Sequence, residues 1–343
     1  MRALSGSFVA LISVLFFSFI SVLPPKASAN KLRSVADIQE TVGLLQTERE
    51  TYPEELTFSY NIYELLTGLG AFVTRIDYNT IVDFDSIRDQ ALLEADGKTD
   101  RLHEIEARII KQQVAAFLKE KGITRVFIPG NFYNLDTEPY APTENRQLIT
   151  AALAEIVHEN PDIKIMGVCG GLQGIMHAMG VKIVRVHLLV GSHESAAVHA
   201  VSMPDPHGKD VVLHRLRIVP GSRLAEIVSK HVEPDENWWY SLFFPDAHGG
   251  VVSSDRENIK KLEELGYEIV GFSDDGIIEA LEDKHGNILF QDHPEALAIN
   301  LLKGNLFPIT NEVANNRAAP KEDLRYKAAI AAISVIEDFL YRK

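Results

Sequence analysis

The chain of 343 residues carries 48 Asp and Glu against 34 Lys and Arg, a formal net charge of −14, with acidic residues spread along its length. A surface of this kind, without a basic cluster, is a poor partner for nucleic acid or anionic membrane and sets those function classes aside. At 46% hydrophobic and 24% charged, the chain can bury a sizeable core, and with one cysteine, Cys169, it has no disulfide to form within these residues.

Arg2 is followed by an apolar run from Phe8 to Leu23, then Pro24-Pro25-Lys26 and Ala27-Ser28-Ala29. This is the layout of a secretory signal peptide over 1–29, with small residues before a cut after Ala29. An uncleaved anchor is the alternative, because about sixteen apolar residues approach the length that spans a bilayer. Cleavage implies a secreted or periplasmic protein without stable membrane association, and in such a protein a lone Cys reads as a reactive thiol rather than a small buried residue.

Helical spacing covers residues 35–48 and 58–69, so 30–59 reads as an N-terminal helical extension ahead of a main domain over 60–302. A β-rich run follows at Ala71–Asp77, then a long amphipathic helix over 100–121 with Ile105, Ile109, Ile110, Val114, Ala115 and Phe117 on one face, stopped by Gly122. Val126–Ile128 is a buried strand that ends at Pro129-Gly130-Asn131. Thr143 caps a helix to about Val157, Ile163–Val168 is a second strand, a helix runs from Gly171 to Met179, and a strand covers Val181–Val186. Such alternation predicts an α/β three-layer sandwich with a mostly parallel central sheet.

The second half is richer in strands: Val211–Val219, Tyr267–Ser273, Gly276–Glu282 and Ile288–Gln291, with helices at Ser222–Ser229 and 255–265. Asp274-Asp275-Gly276 and His285-Gly286-Asn287 supply turn chemistry between the last three strands. A final helix over Lys321–Tyr341 forms a C-terminal extension, 303–343. The two terminal helices offer either a homodimer contact or packing on their own domain.

Gly167-Val168-Cys169-Gly170-Gly171-Leu172-Gln173 places the cysteine between a strand and a helix, flanked two residues away on each side by glycine. A nucleophile elbow needs tiny residues at those positions, exposes the sulfur at a helix N-terminus, and aims the amide of Gly170 at a developing oxyanion. Gln291-Asp292-His293-Pro294-Glu295 supplies a base and its orienting carboxylate, with His293 and Glu295 expected on one side of an extended segment.

These two motifs in this order resemble the class I glutamine amidotransferase fold. The nearest likeness is to the gamma-glutamyl hydrolase and gamma-glutamyl-gamma-aminobutyrate hydrolase branch (peptidase C26). Further landmarks are Ile128-Pro129-Gly130, His199-Ala200-Val201, Pro220-Gly221-Ser222-Arg223-Leu224 and Asp275-Gly276-Ile277-Ile278-Glu279-Ala280. The resemblance implies a flavodoxin-like sheet and a Cys169 that attacks a side-chain amide to form a gamma-glutamyl thioester. It also implies His293 as base and acid, Glu295 as its orienter, Gly130 and Gly170 as oxyanion donors, and Gln173 as a holder of the glutamyl group. A small-molecule gamma-glutamyl substrate and no cofactor follow from it.

Four departures lie where substrate should sit or the sheet should start. No first strand is evident between Lys31 and Ser59; Asn131 stands where a second Gly is common; Asp292 replaces an aromatic residue before His-Pro-Glu; and Ser253-Ser254-Asp255-Arg256-Glu257 lacks an expected histidine. They bear on substrate more than on chemistry. A glutaminase subunit of an amidotransferase and a binding or host-directed protein on the same fold are the rival readings.

His187, His193 and His199 recur at intervals of six, with Glu194 beside them and His207 and His214 beyond. That spacing matches neither a helical face nor a compact ligand pair, so no metal is expected. Trp238-Trp239-Tyr240 and Phe243-Phe244 read as core, and Asp246-Ala247-His248-Gly249-Gly250 as a turn or a substrate loop.

Overall fold

In the computed structural model, which describes residues 40–48, 53–96, 98–131, 135, 143–199, 212–306 and 322–343, the first described element is a strand, where the spacing over 35–48 predicts a helix. β1 (Thr41–Leu45) pairs in parallel with β2 (Phe72–Ile76) on one side and β3 (Arg125–Ile128) on the other. A five-residue run such as TVGLL fits either period, and pairing along both edges decides it. Gly43 adds to the choice, because a Cβ there would lie 2.6 Å from Ile76 Cδ1. The expected helical extension over 30–59 is therefore corrected: its described part contributes the sheet's inner strand and the start of helix α1 (Pro53–Gly68), with proline tolerated at the first helical position. The signal-peptide segment lies outside the described residues.

β4 (Lys164–Gly167) completes a parallel sheet of order β2-β1-β3-β4. Its faces are covered by two sets of helices. On one side lie α2 (Phe84–Ala95), α3 (Leu102–Glu120), α4 (Glu144–Glu159) and α5 (Gly170–Ala178), packed on Leu45, Val126, Ile128 and Ile165. The other side holds Val42, Leu44, Phe127 and Met166. This alternation along each strand is the period of two that a two-faced sheet demands. Thr143 caps α4 as expected, its side chain accepting from the Arg146 amide.

The chain then forms β5 (Ile183–Arg185), the short helices α6 (Val186–Val190) and α7 (His193–Ala196), β6 (Val212–Ile218) and α8 (Arg223–Val228). After these come β7 (Tyr240–Asp246), β8 (Gly250–Val252), α9 (Arg256–Leu265), β9 (Tyr267–Phe272), β10 (Ile278–Asp283), β11 (Ile288–Phe290), α10 (Pro294–Leu302) and α11 (Glu322–Tyr341). A second sheet, β11-β10-β9-β6-β7, is antiparallel throughout, so parallel strand ladders are confined to the first sheet. The tight turns at 274–276 and 285–287 allow only antiparallel neighbours.

The two sheets meet at one parallel bridge, Val168 to Phe290. Helices α1, α8, α10 and α11 cover the second core, where Ala328, Ala332, Val335, Ile336 and Phe339 of α11 are buried. The C-terminal helix thus packs on its own domain. Arg125, itself buried, holds the helix end by donating to the carbonyls of Phe339 (2.9 Å) and Arg342 (2.6 Å), satisfying acceptors that a helix terminus leaves open. No helix among the described residues is long and apolar enough to cross a membrane.

Candidate active site

Cys169 sits at the seam between the sheets with φ +50° and ψ −109°, a backbone conformation that non-glycine residues rarely adopt. It immediately precedes α5, and its amide donates to the Phe290 carbonyl at 2.7 Å, which pins the strained turn to β11. A Cβ on Gly167 would lie 2.6 Å from Ile175 Cδ1 and 3.0 Å from the Gly171 carbonyl carbon, and one on Gly171 would strike the Ile128 carbonyl oxygen. The two glycines that the elbow demands are thus sterically required. Gly170 is the first residue of α5, where an amide has no partner within the helix.

His293 and Glu295 come together, although not along an extended segment. His293 is the N-cap of α10, Pro294 occupies its first position and buried Glu295 its first turn. The helix start, not strand alternation, turns both side chains the same way, and proline's fixed φ favours that start. His293 Nδ1 lies 2.8 Å from Glu295 Oε1. The histidine side chain is hydrogen-bonded to Cys169, its ring meets Phe58 edge-on at 5.8 Å, and its amide donates to the Pro245 carbonyl at 2.9 Å. Burial alone would lower the His293 pKa, but the Glu295 carboxylate and the Cys169 sulfur outweigh it and hold the imidazolium well above its ordinary range.

Gly130 backs this pair closely: a Cβ there would lie 3.0 Å from His293 Cε1 and 3.4 Å from Cys169 Cβ. Asn131 lies against Gly170, where an added Cβ would collide with its carboxamide, and its buried Oδ1 makes no hydrogen bond. Gln173 is buried, with Nε2 donating to the Gly250 carbonyl (2.8 Å) and to Gln291 Oε1 (3.2 Å), so it ties α5 to β8 and to the residue before Asp292. Asp292 is buried and its Oδ1 lacks a hydrogen bond. Burial, then the carboxylates of Glu279 and Asp246, push its pKa well up.

The other sequence features sort themselves. Ser253–Glu257 is the start of α9, with Asp255 capping the Asn258 amide at 2.9 Å. Phe244 is core, whereas Trp238 is 70% exposed at φ +66°, a correction to the core reading of that stretch. His187 and His193 stack at 4.0 Å, apart from His199, and His207 lies outside the described residues. The residues that sequence reading missed as a group are His199, His214, Asp246 and Glu279, each bringing one donor atom within 4.8 Å of the others, with His248 beside them. They come from a short turn, three strands and a loop, and only the resulting pairing brings them together.

A cysteine on a nucleophile elbow at the edge of a parallel α/β sheet, met by a His–Glu pair, is the arrangement that the resemblance to class I glutamine amidotransferases implies. Residues 132–295, which include Cys169, His293 and Glu295, match the model of the Peptidase C26 family. Similar solved structures include the glutaminase domain of Trypanosoma brucei CTPS with bound acivicin, at 14% identity and TM-score 0.45, covering 87% of this chain and 94% of that one. A glutamine amidotransferase from Thermotoga maritima aligns at 10% identity and TM-score 0.44, over 88% of this chain and 99% of that one. One from Methylobacillus flagellatus aligns at 15% and 0.45, over 89% and 97%. No curated protein sequence matches the chain. Site and family match together support a hydrolase or amidotransferase acting on amide bonds.

Proposed function

We propose that the protein is an exported, cysteine-dependent hydrolase of a gamma-glutamyl or related amide. The observation that carries this is the hydrogen-bonded line from Cys169 through His293 to Glu295 at a strained elbow. With Nδ1–H held by Glu295, the other ring nitrogen serves the sulfur, and an imidazolium beside a thiol favours the thiolate.

The thiolate attacks the amide carbonyl, and the oxyanion forms toward the backbone amides of Gly130 and Gly170. Each such donor is worth roughly 10²–10³ in rate. The C–N bond breaks as His293 gives its proton to the leaving amine, which leaves a thioester on Cys169. His293 then takes a proton from water, the hydroxide adds to the thioester carbonyl, and collapse frees the acid and the thiol. His293 and the attacking water carry every proton the two steps move, so the reaction requires no cofactor. A synthase partner for an ammonia-donating subunit is hard to reconcile with export, which makes hydrolysis the better reading of the same chemistry.

Two observations favour a second reading, a binding protein on this fold: the Asn131 carboxamide lies against Gly170, and a buried Asp292 whose pKa is pushed well up adjoins the base. Release of glutamate from a panel of gamma-glutamyl amides by the wild type beside Cys169→Ala decides between them. Turnover that vanishes in the variant supports hydrolysis. No turnover on any amide, with Cys169 also slow toward iodoacetamide, supports binding. Export is tested by fractionating cells that express the full chain and sequencing the mature N-terminus, expected at Asn30.

A further inference from the structure

We propose that the buried cluster of His199, His214, His248, Asp246 and Glu279 is a binding site for one divalent transition-metal ion of the zinc type, separate from the catalytic triad. All five are buried, with His199 and Asp246 fully so. Asp246 Oδ2 lies 2.8 Å from His199 Nδ1 and 2.9 Å from His214 Nδ1, while Asp246 Oδ1 lies 2.9 Å from His248 Nε2. Glu279 closes the other side, 3.4 Å from His199 Nδ1 and 3.5 Å from His248 Nε2. Ligands held about 2.0–2.1 Å from zinc are separated from one another by roughly 3.4 Å, so the cluster has the dimensions of a coordination sphere.

Hydrogen bonding alone does not account for this convergence. His248 Nε2 and Asp246 Oδ1 approach closely without good hydrogen-bond alignment, and the carboxylate oxygens of Glu279 have no well-aligned hydrogen bond, only contacts of 3.4 and 3.5 Å with His199 and His248. Buried carboxylate oxygens left so are costly unless a cation answers them.

The outer contacts fit ligand histidines. His248 Nδ1 lies 3.0 Å from the Gly250 carbonyl, to which it can only donate, and His199 Nε2 lies 3.2 Å from Asp275 Oδ2. With an ion bound in place of the inner proton, each of these two rings would keep a donor on its outer nitrogen and offer a lone pair from its inner one, the orientation that metal-binding histidines take. The donor set is imidazole and carboxylate without thiolate, which suits zinc and its neighbours better than magnesium or calcium.

The site also bears on the triad's frame. Pro245, next to Asp246, accepts from the His293 amide, and Glu279 accepts from the Gln291 amide at 2.7 Å. An ion here would clamp β7 and β10 on either side of the segment that carries the base. An ion enclosed by these buried protein side chains would play a structural role.

The test is metal analysis of the full chain, before and after dialysis against a chelator, followed by titration with Zn²⁺ and with Co²⁺. Stoichiometric zinc uptake is expected, with a rise in Tm of about 5 °C or more at saturating metal, and a visible cobalt spectrum without thiolate charge-transfer bands. Binding should persist in Cys169→Ala and in His187→Ala/His193→Ala, and fall at least tenfold in His248→Gln. The wild-type titration stands even if that last variant fails to fold. Absence of uptake with an unchanged Tm overturns the proposal, as does binding that follows Cys169 or the His187–His193 pair.

Discussion

At the residue scale the elbow makes the sharpest demands. Gly171→Ala would drive a methyl into the Ile128 carbonyl, and a loss of about 3 kcal/mol in urea unfolding is expected. Gly130→Ala should differ: its methyl meets the flexible ring of His293 at 3.0 Å, so stability is nearly kept while kcat falls by roughly 10²-fold through displacement of the base. Because the Glu295 carboxylate and the Cys169 sulfur hold the His293 pKa well above its usual value, the imidazolium favours an ionised sulfur beside it. Iodoacetamide alkylation of Cys169 is therefore expected to be rapid already at about pH 6, below the ordinary thiol range near 8.5. An alkylation profile rising only above pH 8 would contradict the ion pair. The elbow and the His-Pro-Glu pair were legible in sequence because each is a contiguous string whose chemistry fixes its spacing. The way Asn131 lies over Gly170 was not, since the direction of one side chain depends on what packs around it.

At the element scale the lesson concerns short apolar runs. Thr41–Leu45 lies inside 35–48, whose apolar spacing predicts a helix; a run of five cannot distinguish a period of two from one of 3.6, and its place between β2 and β3 is a property of the sheet. The helix that starts at Pro294 was likewise hidden by a motif that looked extended. Capped helices fared better: Thr143, Ser222 and Asp255 each accept an amide from the first turn, where sequence reading had started those helices. Helix α11 tests a long-range tie. Replacing Arg125 by Met removes its bonds to the Phe339 and Arg342 carbonyls from a buried position, and a loss of about 2–3 kcal/mol is expected, read as a lower urea midpoint. An unchanged midpoint would mean that α11 is held by its apolar face alone.

For the whole molecule, the buried histidines and carboxylates link stability to pH. Burial would lower the pKa of His199, but Asp246 and Asp275 raise it to about 9, with Glu279, His214 and His248 also facing it. A folded-state value above the unfolded one favours folding most when the group is protonated in both states. In the metal-free protein this contribution, on the order of 3 kcal/mol, is fully present below about pH 6.5 and is lost as pH rises through about 9. His293 acts in the same direction. The Tm of chelator-treated protein should therefore fall between pH 7 and 9, and bound metal, which replaces those protons, should flatten the fall. The α/β class and the order of most elements were readable from hydrophobic runs and turn residues. The five-residue cluster was not, because its members lie far apart in the chain and only the antiparallel pairing of the second sheet gathers them.

The measurement that tests the central claim most directly is intact-mass analysis of protein quenched in acid during turnover of a chromogenic gamma-glutamyl amide. A transient adduct of one glutamyl group on Cys169 is expected, absent in Cys169→Ala and scarcely formed in His293→Ala, which lacks the proton donor for the leaving amine. Amide turnover at the wild-type rate by Cys169→Ala, with no adduct in either protein, would contradict it.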